Sequence, residues 1–324
     1  MSAGEKALDA HSSMLRLRLE ARRDLTEGIA EFTLVSADGQ DLPGFTPGAH
    51  LTIETPSGAM RRYSLIGDPG QTNFYVIAVK HEVYGRGGSA SLHLEAGVGD
   101  EFWVEAPINE FELIEAPGYL LIAGGIGITP ILSMVRELER SGRTDYHLLY
   151  CTRDADQTAF LQELQSPDRL GQITIHHDAG DPDQIYDFWP LLEEPTEAHI
   201  YCCGPAALME EVRDMSGHWP MEAVHFESFA PLQVLRDDDR AFSVRVDGGP
   251  SIEVPADKTI LESLRAHGLA LRSSCESGSC GTCKMSLLSG EVDHRDLCLT
   301  DEERRSHLMI CVSRAVNGEL VLGS

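Results

Sequence analysis

The sequence predicts three successive folding units: an antiparallel β-barrel, a parallel α/β sheet, and a small mixed β-rich unit at the C-terminal end. Three observations carry this expectation. The first hundred residues are short alternating stretches punctuated by Gly, Pro, Asn and Asp. The middle changes to continuous apolar strands separated by amphipathic helices, and the final stretch gathers closely spaced cysteines after a hairpin pattern. The expected boundaries are 1–14 for a flexible N-terminal stretch, 15–117 for the barrel, 118–230 for the parallel sheet, 231–240 for a linker and 241–324 for the last unit.

The barrel strands come first. "LRLRLEARRD" (15–24), "IAEFTLVSAD" (29–38), "HLTIETP" (50–56), "RRYSLIGDP" (61–69) and "FYVIAVKHE" (74–82) are followed by "EFWVEAP" (101–107) and "FELIE" (111–115). Strands at this spacing, without long helices between them, suit a closed barrel. Two pieces do more than fill it. "RRYSL" sets Arg61, Arg62, Tyr63 and Ser64 together, and "YGRGGSASLHL" (84–94) puts glycines beside Ser89 before a short helix. A Gly-rich turn opening a helix leaves backbone N–H groups free for an anion. Arg62 is positioned in sequence to add a bidentate phosphate contact, and Tyr63 to pack on a flat ring. Ordinary turn glycines and surface arginines are the plainer alternative.

The parallel sheet follows. "YLLIAGGIGITPILSMVRELERSG" runs from an apolar strand (119–123) through glycines into an amphipathic helix near Pro130. "HLLYCTRD" (147–154), a helix near "TAFLQELQ" (158–165), "ITIHHDAG" (173–180), "AHIYCCGP" (198–205), "AALMEEVRDMSGHW" (206–219) and "AVHFESF" (223–229) continue the alternation. Fully apolar strands of this kind belong to a sheet covered on both faces, with ligands beyond its C-terminal strand ends. Gly124, Gly125 and Gly127 would let the backbone approach a pyrophosphate. The stretch is G-G-I-G-I-T-P, however, not the dinucleotide pattern G-x-G-x-x-G. "CCGP" supplies a second glycine-bearing strand-to-helix loop. Cys202 and Cys203 alternate faces, so one is expected in the core and the other toward the ligand crevice.

Charge and composition exclude several classes. The net charge of −26 leaves no basic stripe to neutralise nucleic-acid phosphates. It is unevenly spread: residues 1–234 hold 15 Lys/Arg and 37 Asp/Glu, residues 235–324 hold 11 and 15. A solvated acidic surface explains this, and a basic docking partner is the sharper alternative. No apolar run reaches the roughly 18–20 residues of a membrane span, and no signal-peptide pattern opens the chain. A soluble cytoplasmic protein is expected, in a compartment where cysteines are more often ligands or core thiols than disulfides. "APLQVLRDDDRA" (230–241) has the composition of an exposed linker.

The last unit answers what those thiols do. Cys275, Cys280 and Cys283 are spaced C-x4-C-x2-C, and Cys311 follows 28 positions later, the plant-type pattern of a [2Fe–2S] cluster. Gly278 and Gly281 permit the positive-φ turns that wrap backbone around such a cluster. A zinc site usually shows two Cys or Cys/His pairs. Here there is one, and His294 and His307, which lie between Cys283 and Cys311, are expected to be surface residues. Cys298 is expected to be a buried thiol outside the pattern. The hairpin "AFSVRVDGG"/"SIEVPAD", the helix "TILESLRAHG" (259–268), the strand "CKMSLLSGEV", a helix near 300–308 and strands through "MICVSRA" and "ELVLG" resemble the β-grasp fold of plant-type ferredoxins.

Taken in order, "RRYSL", "GRGGS", "NEFEL" (109–113), "GGIGITPILSM", "YCCGP", "HFESF" and the four cysteines resemble the phthalate dioxygenase reductase family, within the ferredoxin–NADP reductase superfamily. Vanillate demethylase reductase subunits look like close relatives. The resemblance implies an FMN-binding barrel, an NAD-binding sheet and a [2Fe–2S] ferredoxin unit. It implies that Arg62, Tyr63 and Ser64 line the flavin with Ala78, Val79 and Lys80, and that Gly87, Gly88 and Ser89 cradle its phosphate. Gly124, Gly125, Gly127, Thr129, Pro130, Cys203, Gly204 and Pro205 would hold NADH, and Glu227 and Phe229 would lie near the isoalloxazine. Ser64 and Thr129 are expected near its reactive nitrogen, with Cys203 bordering the nicotinamide. Electrons would pass from NADH through FMN and the cluster to a terminal oxygenase, a Rieske-type protein with non-haem iron. Glu112 and Ser279 depart from the family pattern, over the flavin and in the cluster loop respectively. An FAD reductase of a di-iron hydroxylase, a stand-alone diaphorase and a redox sensor are the alternatives. NADH is expected over NADPH because Arg153 is offset by Asp154 and Asp156.

Overall fold

A computed structural model describes residues 11, 14–83, 85, 87–229, 235–236, 238–269, 271, 278, 281, 283–296, 299–300 and 302–323. The chain divides into two compact units, Met1–Glu227 and Ser228–Ser324.

The first unit holds two sheets. Strands β1 (Leu15–Thr26), β2 (Ile29–Ser36), β3 (His50–Glu54), β4 (Met60–Ser64), β5 (Phe74–Lys80) and β6 (Glu101–Val104) pair antiparallel in the order β4-β3-β6-β1-β2-β5. Helix α1 (Gly88–Leu94) lies between β5 and β6. Alternation in β1 shows how the sheet chooses its inner face. Leu17 and Leu19 are fully buried, while Arg16 and Arg18 pair outside with Asp38 and Glu20. A Leu65–Ile77 bridge and the Ile66 N–H donating to Val76 O at 2.9 Å join the two edges into a barrel. Stretch 111–115 is not a strand. Tyr201 takes over its backbone: its hydroxyl accepts from Ile114 N–H at 2.8 Å and donates to Glu112 O at 3.0 Å. That leaves no need for a ladder partner.

The second sheet is wholly parallel. It comprises β7 (Gly118–Gly124), β8 (Tyr146–Thr152), β9 (Gln172–His177), β10 (Ala198–Cys203) and β11 (Val224–Glu227), ordered β11-β10-β7-β8-β9. Helix α2 (Ile128–Arg140) covers one face through Ile128, Ile131, Leu132 and Val135. A two-turn-or-shorter α3 (Leu161–Leu164) follows β8, and α4 (Trp189–Leu192) and α5 (Ala206–Met215) cover the other face through Leu192, Met209 and Val212. Barrel residues Ile29, Ile66 and Ala78 belong to the same apolar cluster as α2. Arg136 on α2 donates to Ile66 O and grips Glu163 with two nitrogens. Barrel and parallel sheet therefore share one core, which fixes the barrel edge against the loops after β7 and β10.

The second unit is a mixed sheet of β12 (Phe242–Val246), β13 (Ser251–Val254), β14 (Lys284–Asp293), β15 (His307–Met309) and β16 (Arg314–Gly323), ordered β13-β12-β16-β14-β15. Helix α6 (Ile260–Ala266) starts with a Thr259–Glu262 capping box. The helix expected over 300–308 is instead a three-residue 3-10 turn, Glu303–Arg305. Leu308 and Met309 are buried in β15, and strand pairing wins because it seats both in the core. The end of the expected linker is no loose tether. Asp239 accepts from Arg295 at 2.9 and 2.6 Å, and Arg314 Nε lies 3.4 Å away. Among the described residues, no helix is long and apolar enough to cross a membrane.

Candidate functional site

The loops after β7 and β10 meet at the C-terminal edge of the parallel sheet. Glycine is required there chiefly for loop-to-loop packing. A Cβ on Gly127 would sit 2.1 Å from Cys203 O, and one on Gly124 would sit 2.6 Å from Pro205 Cδ and 3.3 Å from Gly204 Cα. Gly125 differs: its φ is +52° and nothing lies within 4 Å of its Cβ position. Of the three glycines expected to admit a pyrophosphate, only Gly125 faces open space. Thr129 is buried and donates to Ile126 O at 3.0 Å, and Pro130 is buried in the first turn of α2. Cys203 and Cys202 do occupy opposite faces. Both are completely buried, so neither thiol is presented to the crevice, contrary to expectation. Burial, with Glu227 beside it in β11, pushes the Cys203 thiol well above its ordinary range. Phe229 is 42% exposed and belongs to the second unit.

Strand β4 carries the other half of the site. Strand alternation sends Arg61 and Tyr63 to one face and Arg62 and Ser64 to the other. Arg61 lies across the glycine turn: a Cβ on Gly88 would be 2.6 Å from its Cγ and 2.7 Å from its Nε. Gly87, at φ +82°, opens α1, and Ser89 Oγ accepts from Glu82 N–H at 3.2 Å. The bidentate phosphate contact expected of Arg62 is not what its geometry offers. Its Nη2 donates to His50 Nδ1 at 3.0 Å and to a Glu110 carboxylate oxygen. In β5, Ala78 packs with α2, Val79 fills the barrel interior, and Lys80 is exposed and paired with Glu82 at 2.7 Å. Only Ala78 of these three turns toward the parallel sheet.

In the second unit Cys283 and Cys311 are buried with Sγ atoms 2.8 Å apart, farther than the roughly 2.05 Å of a disulfide. Cys275, Cys280 and Cys298 lie outside the described residues. Gly278 and Gly281 have φ of +73° and +78°. A Cβ on Gly278 would strike Val312 Cγ2 at 2.8 Å and Asp296 Cα at 3.1 Å. His294 approaches Asp296 at 3.4 Å, and His307 meets the Ser306 hydroxyl at 2.9 Å.

Comparison with known proteins agrees with this layout. Residues 244–316 match the 2Fe-2S iron-sulfur cluster binding domain, and residues 121–214 the oxidoreductase NAD-binding domain. The reductase subunit of phthalate 4,5-dioxygenase from Pseudomonas putida is 46% identical over 325 residues, covering 99% of each chain. The chain belongs to the phthalate dioxygenase reductase family. The solved structure of phthalate dioxygenase reductase, described as modular for electron transfer from pyridine nucleotides to [2Fe-2S], superposes with a TM-score of 0.79. It is 46% identical and covers 97% of this chain and 99% of that one. Vanillate O-demethylase oxidoreductase from a Pseudomonas strain is 38% identical, covering 95% of this chain and 99% of the relative.

The reductase's own residues fit the groups that the family implies. Among the described residues, Ser64 Oγ, Tyr63 Oη, Arg62 Nη1 and His50 Nε2 are buried without a hydrogen-bond partner. Buried polar atoms are rarely left so, and four of them on two adjacent strands suit a flat ligand with a polar edge, as a flavin has. Burial also pushes the Tyr63 phenol upward. For the cluster, the described part of the donor set fits: two converging buried thiols beside positive-φ glycines. Two residues escaped sequence reasoning. Arg61 was findable, because it shares strand phase with Tyr63. His50 was not, because nothing in the sequence announces its pairing with Ser64.

Proposed function

We propose that this chain is the NADH-dependent reductase component of a Rieske-type oxygenase or demethylase system, delivering electrons singly to a terminal oxygenase with non-haem iron. The carrying observation is the 46% identity over nearly the full length of a phthalate 4,5-dioxygenase reductase subunit, a span containing all three sheets. When bound, FMN takes the two electrons of a hydride together, and a [2Fe–2S] cluster held by Cys275, Cys280, Cys283 and Cys311 carries them one at a time.

The protein's part is placement. Arg61 with Gly87, Gly88 and Ser89 would hold the flavin phosphate, and Tyr63, Ser64 and Ala78 would line its ring. Gly125 and the start of α2 would receive the pyrophosphate of NADH, with Thr129 and Pro130 shaping the floor. Gly124, Gly127, Gly204 and Pro205 lock the two loops together, so the nicotinamide meets a fixed surface. Cys203, protonated and sealed, supports that floor through its backbone, and Glu227 stands beside it at the end of the sheet. No side chain acts as general acid or base in this scheme. We place the reaction in the cytoplasm, whose reducing conditions keep thiols available to iron.

The test is chemical. Released flavin should be FMN rather than FAD, the purified protein should show cluster absorbance and EPR, and kcat/KM should favour NADH over NADPH. Oxygenase turnover supported equally well by protein lacking the cluster would overturn the proposal.

A further inference from the structure

The His50–Arg62–Glu110 group has no part in that scheme, and its geometry settles one proton. His50 pairs with Ser64 across β3 and β4, so the two side chains share a face. Arg62, two residues before Ser64, shares it too. A guanidinium can only donate. The Arg62 Nη2–His50 Nδ1 contact at 3.0 Å therefore makes Nδ1 the acceptor and puts the single imidazole proton on Nε2. Burial, and then the charge of Arg62, depress His50 to about 3, which keeps the ring neutral at working pH. Glu110 accepts from the same Nη2 and so holds it in place beside His50. The stretch bearing Glu110 is tied to β3 by His50 N–H donating to Ile108 O at 2.9 Å and Ile108 N–H to His50 O at 3.1 Å. The result is a donor, Nε2–H, on a residue only 2% exposed, without an acceptor among the described residues and beside the Ser64 hydroxyl, equally unpartnered among them.

We propose that His50 is a second hydrogen-bond donor to the polar edge of the flavin ring, presented beside Ser64 and locked in its donating tautomer by Arg62. This rests on the assignment of β4 as the flavin strand. A neutral donor there favours the negative charge that the ring system gathers as electrons arrive, so His50 makes the flavin easier to reduce. Arg62 acts through His50 and is a positioning residue rather than a phosphate ligand.

The experiment uses the full-length holoprotein and compares wild type, His50→Leu and His50→Gln by flavin spectroelectrochemistry. His50→Gln keeps an N–H near the Nε2 position. The leucine variant should retain FMN but reduce about tenfold less favourably, the scale of one hydrogen bond, which is about 30 mV for two electrons. The glutamine variant should recover most of that loss. An unchanged midpoint and visible spectrum in His50→Leu would overturn the proposal, as would glutamine behaving like leucine. If His50→Leu does not hold flavin, the histidine ¹⁵N spectrum of wild type decides. An Nε2–H resonance that moves when FMN is removed and restored supports the contact, and one that stays put refutes it. Wild-type protein that never holds flavin would instead sink the reading of β4 itself, a distinct outcome.

Discussion

Arg61 and Arg62 are neighbours of the same type in different surroundings, Arg61 across the glycine turn and Arg62 between His50 and Glu110, and substitution should separate them. Arg61→Ala is expected to weaken FMN binding by about 1.5–3 kcal/mol, the scale of a charged hydrogen bond, as read by flavin retention on dialysis. Arg62→Ala should cost much less in retention, because its Nη2 is engaged by His50 and Glu110. Equal losses would return the phosphate contact to Arg62. Gly127→Ala should be strongly destabilising, since the added carbon would meet Cys203 O at 2.1 Å. Backbone on both sides leaves nothing flexible to yield, and overpacking costs roughly 1–3 kcal/mol or more; thermal unfolding would measure it. Gly125→Ala meets no neighbour but sits at φ +52°, so it should cost about 1–2 kcal/mol of backbone strain and lower NADH affinity without a packing clash. At this scale ligand spacing is itself chemistry: it predicts that Cys283 and Cys311 converge, as they do, while Cys275 and Cys280 lie outside the described residues. The Arg61 assignment needed strand phase, and the tautomer of His50 needed a cross-strand register that no single sequence displays.

The strands and helices were legible where one force dominated. Continuous apolar runs marked β7, β8 and β10, and short, often alternating stretches between turn residues marked β1 to β6. Stretch 111–115 alternates as well, yet a side chain of β10, Tyr201, takes its backbone groups. Residues 300–308 have helix-compatible composition, but Leu308 and Met309 are worth more in the core. The charged stretch 230–241 has the composition of an exposed linker, whereas Asp239 within it is bound by Arg295 and lies near Arg314. The hydrogen bond from Arg295 holds the Asp239 carboxyl down at about 2. A depressed carboxylate stabilises the fold fully above its unfolded value of about 3.9, and the benefit is lost as pH falls from there through about 2. Asp239→Asn should therefore destabilise the second unit by about 2–3 kcal/mol at neutral pH, the worth of a carboxyl held about two pH units below its ordinary value. The difference from wild type should shrink in acid. A chemical denaturation series across that window would show it, and a difference independent of pH would contradict the ion pair.

Over the whole molecule the order of parts is the argument: a barrel and a parallel sheet sharing one core, then a ferredoxin-like unit with its own. The charge of −26 adds a consequence for partnership. If the oxygenase docks through basic residues, added salt should slow electron delivery to it, while reduction of the flavin by NADH changes little; equal slowing of both would place the salt effect elsewhere. The central claim is that one chain accepts electrons in pairs and releases them singly. The direct measurement is an anaerobic NADH titration of the purified protein, followed together by absorbance and EPR. The expected result is uptake of about three electrons per chain, two on the flavin and one on the cluster, with the cluster's EPR signal growing in. A folded, active protein that stops at two electrons and shows no cluster signal would contradict it.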